Sequence, residues 1–304
     1  MKQNVTVAGV GEVLWDVFPD EKRIGGAPAN FARNVSQLGI EAYSVSCVGA
    51  DALGVRAKDE LEASGVKVDF LFTHPSLPVG VVDVTLDSQG KPSYRIADNV
   101  AWDDIPDSPE LQAAAGEFDA ICFGTLAQRT EPARDRIRKL LEAVPAMALK
   151  ILDVNLRAPF YSQEIVTGSL EMANVLKLSD EELPVLAGYY GLLGEETQQL
   201  TQLVSRFDLR LVAYTKGDAG SILVTADQID VAEAVPVKVV DSVGAGDAFT
   251  AALCVGLLRG FTLSACNRFA NQVAAYVCSC RGACPVLPEE LLSIPPGDWS
   301  AFDE

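Results

Sequence analysis

The chain has 304 residues, 49% of them hydrophobic, with 24 Lys and Arg against 42 Asp and Glu and a formal net charge of −18 at pH 7. That length and apolar content suffice for one large α/β domain or two ordinary ones, while the charge argues against a broad nucleic-acid or anionic-membrane surface, since both reward clustered Lys and Arg. No apolar run reaches the ~18–20 residues of a membrane span, and the opening MKQNVTVAGVGEV carries no charged leader with an apolar stretch and cleavage site, so a cytoplasmic protein is expected.

NVTVAGVGEVLWDVF, residues 4–18, opens with strand character. Its GVGEVL begins like a dinucleotide fingerprint but places Leu14 where a third small residue is needed, and no G-x4-G-K-[ST] occurs, so nicotinamide binding and the ordinary P-loop are excluded. PANFARNVSQLG, 28–39, reads as a helix with Pro28 at its start, Phe31, Val35 and Leu38 on one face and Gly39 as its stop. EAYSVSCVG, 41–49, is a strand. Residues 66–104 alternate polar and apolar, with turn signals at Leu77-Pro78 and Gln89-Gly90, which predicts a small β-meander projecting from the main sheet. Beyond it come FDAICFGTL, KILDVNLR, ANVLKLS, RLVAYTKG and GSILVT, short continuously apolar strands of the kind covered on both faces. Helical segments are expected at 108–115, 131–143, 180–188, 195–206, 247–259 and 262–280. This alternation predicts an α/β sandwich, and without repeats or linkers the whole of 1–304 reads as one domain.

Seven cysteines, an odd number without a secretion signal, point to reduced thiols. The cluster Cys278, Cys280 and Cys284 matches no usual zinc spacing. The single histidine, His74, precedes Pro75 in an expected loop, which leaves no His-based triad or metal site.

Chemistry concentrates in a few stretches. In DSVGAGDAF, 241–249, Gly244, Ala245 and Gly246 bare the backbone just before an apolar helix, an arrangement that binds anions through unpaired N–H groups. Asp247 then has two readings. It satisfies the first helical turn, a macrodipole effect of ~0.3–1 kcal/mol, or it takes a proton from an acceptor hydroxyl while the amides of 244–246 stabilise a phosphoryl group in transfer. In GGAPAN, 25–30, Gly26 permits close backbone approach and Asn30 offers a donor and an acceptor; a plain turn before a helix explains the same residues. ILDVNLR sets Asp153, Asn155 and Arg157 on one face of an extended segment, either as a solvated edge or facing a ligand beyond a strand end. LKLSDEEL, 176–183, reads as a strand followed by a Ser179 cap with Glu182 completing a capping box, and Lys177 as a nearby cation. YTKGDAGSILV, 214–224, reads as a hairpin.

DSVGAGDAF resembles the C-terminal signature of the ribokinase-like (phosphofructokinase-B type) carbohydrate kinases, and GGAPANFARNVSQLG, 25–39, resembles their N-terminal one. The likeness extends from Gly11 to Ala283. It implies a three-layer α/β/α sandwich with a mainly parallel central sheet, and a small β-sheet lid formed by about 12–24 and 66–104. The activity implied is transfer of the γ-phosphoryl group of Mg-ATP to a primary hydroxyl of a free sugar, with Asp247 as base beside Gly244, Ala245 and Gly246. For the sugar, the resemblance implies Asp16, Gly26 and Asn30, with Arg157 near the transfer point and Tyr94, Arg95 and Trp102 on the lid. For ATP it implies Lys177, Ser179, Thr215, Gly217, Gly220 and Asn271. The family's N-x-x-E keeps only Glu182, acting on Mg2+ through water, because Ser179 replaces Asn. Asp241 and the Gly282-Ala283 loop resemble the surroundings of a monovalent cation such as K+. Ribokinases proper usually carry Lys where Ala27 stands; that departure, DVNLRAPFYS and YRIADNVAWDDI are fructokinase-like, so fructose is the expected acceptor. Ribose, 2-keto-3-deoxygluconate or a nucleoside are alternative acceptors, and a non-catalytic sugar or nucleotide sensor is the alternative of another class. Lid pairing in the family implies a homodimer.

Overall fold

The computed structural model describes residues 5–18, 20–86 and 92–292, except the side chains of 84–86 and 92–94. The first strand, β1 (Thr6–Val10), leads into β2 (Leu14–Val17), β3 (Lys22–Gly25) and α1 (Ala27–Gln37). β4 (Glu41–Gly49), α2 (Ala52–Ala63) and β5 (Leu71–His74) follow, then a second excursion through β6 (Gly80–Leu86) and β7 (Pro92–Ile96). Helices and strands then alternate: α3 (Pro109–Ala115), β8 (Ala120–Phe123), α4 (Glu131–Ala143), β9 (Leu149–Asp153), α5 (Gln163–Met172) and β10 (Val175–Ser179). The remainder holds α6 (Leu183–Tyr190), α7 (Glu196–Phe207), β11 (Leu211–Thr215), β12 (Ser221–Val224), β13 (Ile229–Ala232), α8 (Ala245–Leu258), α9 (Leu263–Cys278) and α10 (Glu289–Leu292).

One nine-stranded sheet runs β13-β12-β11-β10-β9-β8-β1-β4-β5, parallel from β11 through β5 with antiparallel pairing at β12 and β13. Successive side chains of a strand go to opposite faces, and both faces are covered here. Val7, Ile151 and Leu211 pack with Phe31 of α1, Leu61 of α2, Leu253 of α8 and Phe269 of α9. Ala8, Leu152 and Val212 pack on the other side with Leu111 of α3, Ile137 of α4, Leu170 of α5, Leu186 of α6 and Leu203 of α7. These are the three layers expected. Double coverage is also why the strands read as continuous apolar runs.

A second sheet, β3-β2-β6-β7, stands apart over its own small cluster of Leu14, Val82, Phe18 and Ile96. It is narrower than the expected lid. β5 pairs with β4 as the edge of the main sheet, so the polar–apolar alternation of 66–79 belongs to a half-covered edge strand. His74 ends that strand, with its Nε2 3.1 Å from Asp104 Oδ2. The Gln89-Gly90 turn lies outside the described residues.

Three helices lacked a sequence signal, among them the short α10. α2 buries only Gly54, Ala57 and Leu61, and α5 is capped by the Ser162 hydroxyl, which accepts from the Ile165 N–H. The helix expected from 180 starts at Leu183, and the one expected from 247 starts at Ala245. All seven cysteines stand as unpaired thiols. Among the described residues no helix is long and apolar enough to cross a membrane.

Candidate active site

The carboxyl ends of the parallel strands, where open α/β sheets bind ligands, open under the lid into a cleft of about 830 Å³. That is the size of a small-molecule site. Its lining brings together residues far apart in sequence: Asp16 on β2, Gly26 and Asn30 at the start of α1, Arg157 after β9, Lys177 on β10, and Asp241, Gly244, Gly246 and Asp247 around the start of α8. Lid residues Leu14, Phe18, Val82 and Ile96 form an apolar roof.

α8 mounts the centre of the site. Its residues from Ala248 to Gly256 are all buried, so the helix start is held by core packing on every side. The turn into it requires glycine. Gly244 sits at φ 80°, and a Cβ there would stand 2.4 Å from the Ala283 carbonyl oxygen. The Ala245 N–H donates to Ser242 O at 3.3 Å. The amides of Gly246 and Asp247 belong to the first turn, which lacks intrahelical acceptors and presents the positive helix end to the cleft.

Asp247 Oδ2 accepts from Asn30 Nδ2 at 2.8 Å, joining α8 to α1. Burial pushes this carboxyl up to about 7; the Asp153 charge adds to the effect, and the Asn30 hydrogen bond, Lys177 and Arg157 oppose it. Asp16 is likewise raised, by burial first, against the pull of Arg157 and Arg23. Asp16 Oδ2 occupies space that a Cβ on Gly25 would invade at 2.6 Å. The paired glycines therefore leave room for the Asp16 carboxylate beside Gly25 and for the Glu12 backbone beside Gly26.

Lys177 is buried, with Nζ 3.1 Å from Asp153 Oδ1, and the Thr250 hydroxyl donates to Asp153 Oδ2 at 2.9 Å. Burial alone would lower the lysine's proton affinity, but Asp153, Glu182 and Asp247 together outweigh it and hold the ammonium above its ordinary range. Nζ lies 3.0 Å from where a Gly246 Cβ would stand, so the cation reaches the same helix start as the amides. Two cationic side chains and an amide turn thus face a cleft whose other wall is acidic.

Several expected residues are placed differently. β9 ends at Asp153 and the backbone turns at Asn155, φ 39°, so Asp153, Asn155 and Arg157 do not share an extended face. The turn still directs them to one place: Asp153 and Asn155 line a small void beside Asp247, and Asn155 and Arg157 line the cleft. Arg95 is exposed and does not line the cleft, because it alternates on β7 with Ile96, which does. The side chain of Tyr94 lies outside the described residues. Trp102 is fully buried with the Arg129 guanidinium 4.0 Å from its ring centre, a packing role beneath the lid and not a cover for a sugar.

Ser179 does not cap α6 with its side chain; its N–H donates to Glu182 Oε2 at 2.8 Å, while Glu182 Oε1 accepts from Leu156 N at 2.8 Å. Glu182 thereby ties the Arg157 turn to the end of β10. Thr215 ends β11, and Gly217 and Gly220, both at positive φ, form the turn of the β11–β12 hairpin along the same strand ends, outside the cleft lining. Asn271 Nδ2 donates to Ser221 Oγ at 2.6 Å and to Asn267 O at 2.8 Å, joining α9 to β12. Asp241 accepts from Arg23 Nη1 and Gly282 N, both at 3.0 Å, and from Val243 N at 3.1 Å. Its carboxylate therefore binds the lid to the α8 entry. Among the described residues no group of three or more His, Cys, Asp or Glu is disposed to hold a metal ion.

Sequence reasoning passed over Glu12 and Arg23. Glu12 follows β1 at the carboxyl end of the sheet, the rule that would have found it, but it fell inside GVGEVL, weighed only as a glycine motif. Arg23 gave no signal, since its partner lies 218 positions away.

A family model described as pfkB family carbohydrate kinase matches residues 7–290. Fructokinase of Klebsiella pneumoniae is 30% identical over 260 residues, covering 82% of this chain and 83% of its own. Fructokinase of Salmonella typhimurium is 28% identical over 303 residues, covering 94% and 97%. Among solved structures, a sugar kinase from Pyrococcus horikoshii superposes with a TM-score of 0.80 at 29% identity, over 95% of this chain and 97% of the other. Fructokinase from Vibrio cholerae O395, in its fructose-, ADP- and calcium-bound form, gives a TM-score of 0.81 at 24% identity, over 94% and 97%, and so supports the fold.

Proposed function

The chain belongs to the pfkB family of carbohydrate kinases, and on that premise we propose that it phosphorylates free fructose at a primary hydroxyl with ATP, Asp247 serving as the general base. The observation that carries this reading is the position of Asp247: a carboxyl lifted to about 7, in the same helical turn as the unpaired amides. A base is most effective when its proton affinity lies near the working pH. Anion stabilisation has to come from the same few ångströms.

The steps follow from the lining. Sugar hydroxyls donate to Asp16 and engage Asn30 and the Gly26 backbone beneath the apolar roof. As the acceptor oxygen attacks the γ-phosphorus, its proton passes to Asp247, the new O–P bond forms, and the bond to the β-phosphate oxygen breaks to release ADP. The first-turn amides of α8, Lys177 and Arg157 offset charge on the moving phosphoryl group. When bound with the nucleotide, Mg2+ supplies neutralisation of phosphate charge. Glu182, whose oxygens already accept two backbone N–H groups, fits contact with it through water, as Mg2+ keeps much of its hydration. Ser179, Thr215, Gly217, Gly220 and Asn271 complete the nucleotide path in this reading. Asp241 marks the place for a monovalent cation, and pairing of lid sheets makes a homodimer.

The fructokinases of K. pneumoniae and S. typhimurium support fructose as the acceptor. An ADP-release assay over a panel of sugars, run on the parent chain and Asp247→Asn, tests both parts. Fructose should be turned over fastest, and Asp247→Asn should lose ~10²–10⁴ in turnover while still binding sugar. Equal rates on several sugars would refute fructose; near-normal turnover of the variant would refute the base.

A further inference from the structure

Glu12 has no role in the steps above, yet it is among the most deeply placed charges of the cleft, with 3% of its surface exposed. Its Oε1 accepts from the Ala27 N–H at 3.2 Å, at the first residue of α1. Its Oε2 is buried and has no hydrogen-bond partner among the described residues. A buried carboxylate oxygen left unpaired is costly, so the site is organised around something that satisfies it. Beside it lies a small void, with room for about one water molecule, whose polar lining is Glu12, Thr125, Asp153, Asn155, Asp247 and Thr250 and whose remaining wall includes Pro28, Phe31 and Leu126.

We propose that Glu12 is a positioning residue for the base: one oxygen fixes the start of the helix that carries Asn30, and the other faces the void it shares with the Asp247 carboxyl and, when ionised, strengthens that carboxyl as a base. This rests on Asp247 being the base. Both carboxyls are pushed up to about 7, each by burial first. The Asp247 charge raises Glu12 further; charge repulsion acts on both partners, so an ionised Glu12 opposes ionisation of Asp247 in turn, beside the larger effect of Asp153. Groups facing the pair from the other elements are Asp153 on β9, which raises Asp247, and Lys177 on β10 and Arg157, which lower it. Cys122 on β8 and Cys284 after α9 are thiols that burial keeps protonated, well above the ordinary value for Cys122 and at about 12 for Cys284. Glu182 reaches the cluster through Asp153 and Lys177. Asp16 on β2 lines the same cleft, its carboxyl also raised by burial.

Glu12→Gln separates the two parts of the role, since Gln keeps an acceptor for the Ala27 N–H and discards the charge. The acid limb of kcat/KM against pH should move down by about half a pH unit or more in Glu12→Gln, because the repulsion that strengthens Asp247 is gone. An acid limb that stays with that of the parent chain in an active Glu12→Gln overturns the proposal. Asp247→Asn measured alongside distinguishes the failures: normal turnover there removes the base assignment itself, whereas an inactive Asp247→Asn with an unmoved Glu12→Gln limb removes only the role of Glu12. Should Glu12→Gln not fold, infrared titration of the parent chain and Asp247→Asn reads the coupling directly. Two carboxyls losing their protons in separate steps around neutral pH in the parent, with the Glu12 step moved down in Asp247→Asn, support the proposal; a Glu12 step that does not move in Asp247→Asn overturns it.

Discussion

Gly244→Ala tests whether the entry to α8 is built for catalysis or is merely a turn. The backbone there has φ 80°, where an L side chain costs ~1–2 kcal/mol. Its new Cβ would also meet Ala283 at 2.4 Å from O, 2.5 Å from Cα and 2.6 Å from Cβ, contacts that force backbone to move and add ~1–3 kcal/mol of overpacking. Gly282 provides the control: φ is 82° and no described atom lies within 4 Å of where a Cβ would stand, so Gly282→Ala carries the conformational cost alone. The expected loss for Gly244→Ala is about 2–5 kcal/mol, or about 4–10 °C in Tm at roughly 2 °C per kcal/mol for a chain of this size. Turnover should fall further than stability implies. The displaced residues carry Asp247 and its amides, and a misplacement near 1 Å costs ~10² in rate. Urea unfolding and steady-state ADP release, measured on both variants, give the comparison. Gly244→Ala matching Gly282→Ala in both measurements refutes the idea that this glycine sets the base.

Arg23→Ala removes the lid's ion pair with Asp241, whose side chains are 30% and 19% exposed. Such a pair contributes only ~0–1 kcal/mol to stability, so Tm should barely move while KM for the sugar rises several-fold at nearly constant kcat; an unchanged KM refutes a closing role. Asp247→Asn should also reveal a pH-dependent cost of the base. Burial lifts Asp247 from the ordinary 3.8 to about 7, so the native state binds this proton more tightly than the unfolded chain, and stability falls as pH rises from about 4 through 7. At pH about 8 the full penalty is on the order of 4 kcal/mol. Asp247→Asn should therefore be more stable than the parent at pH about 8, with the advantage gone by pH about 4. Urea midpoints at the two pH values check this, and a variant less stable than the parent at the higher pH contradicts it.

What the chain showed before folding follows from the range of each interaction. The parallel strands were legible because two-sided burial makes them apolar throughout, as in AICF of β8 and LVAYT of β11. α1 was legible from Pro28 and Gly39. α2 was not, because Gly54 and Ala57 make a buried stripe without looking apolar. Asp16, Gly26, Asn30, Arg157, Lys177, Gly244, Gly246 and Asp247, drawn from separate signature stretches, line one cleft. Arg95 and Ile96 could not be told apart, since which of two neighbours on a strand faces the cleft depends on the register with β6. Trp102 is held by Arg129, and Lys177 by Asp153, across 27 and 24 positions that only the fold brings together.

The cleft joins opposite electrostatic demands, and their segregation explains why so acidic a chain can handle a polyphosphate. At the end proposed for the sugar stand the carboxyls of Asp16, Glu12 and Asp247, and burial raises the proton affinity of each. At the phosphate end Lys177, Arg157 and the α8 dipole provide positive potential. Burial pulls the Lys177 ammonium down and Asp153 is the first of the charges that hold it up, and Asp153 is in turn fixed by the Thr250 hydroxyl, one turn beyond Gly246 on the same helix. α8 therefore carries the proposed base, the first-turn amides and the residue that orients the lysine's counter-ion. A rigid-body shift of this helix would move all three together and preserve their mutual geometry, whereas a local change at Gly244 or Gly246 separates them. That is the physical reason to expect the glycine turn, more than the helix as a whole, to control the rate.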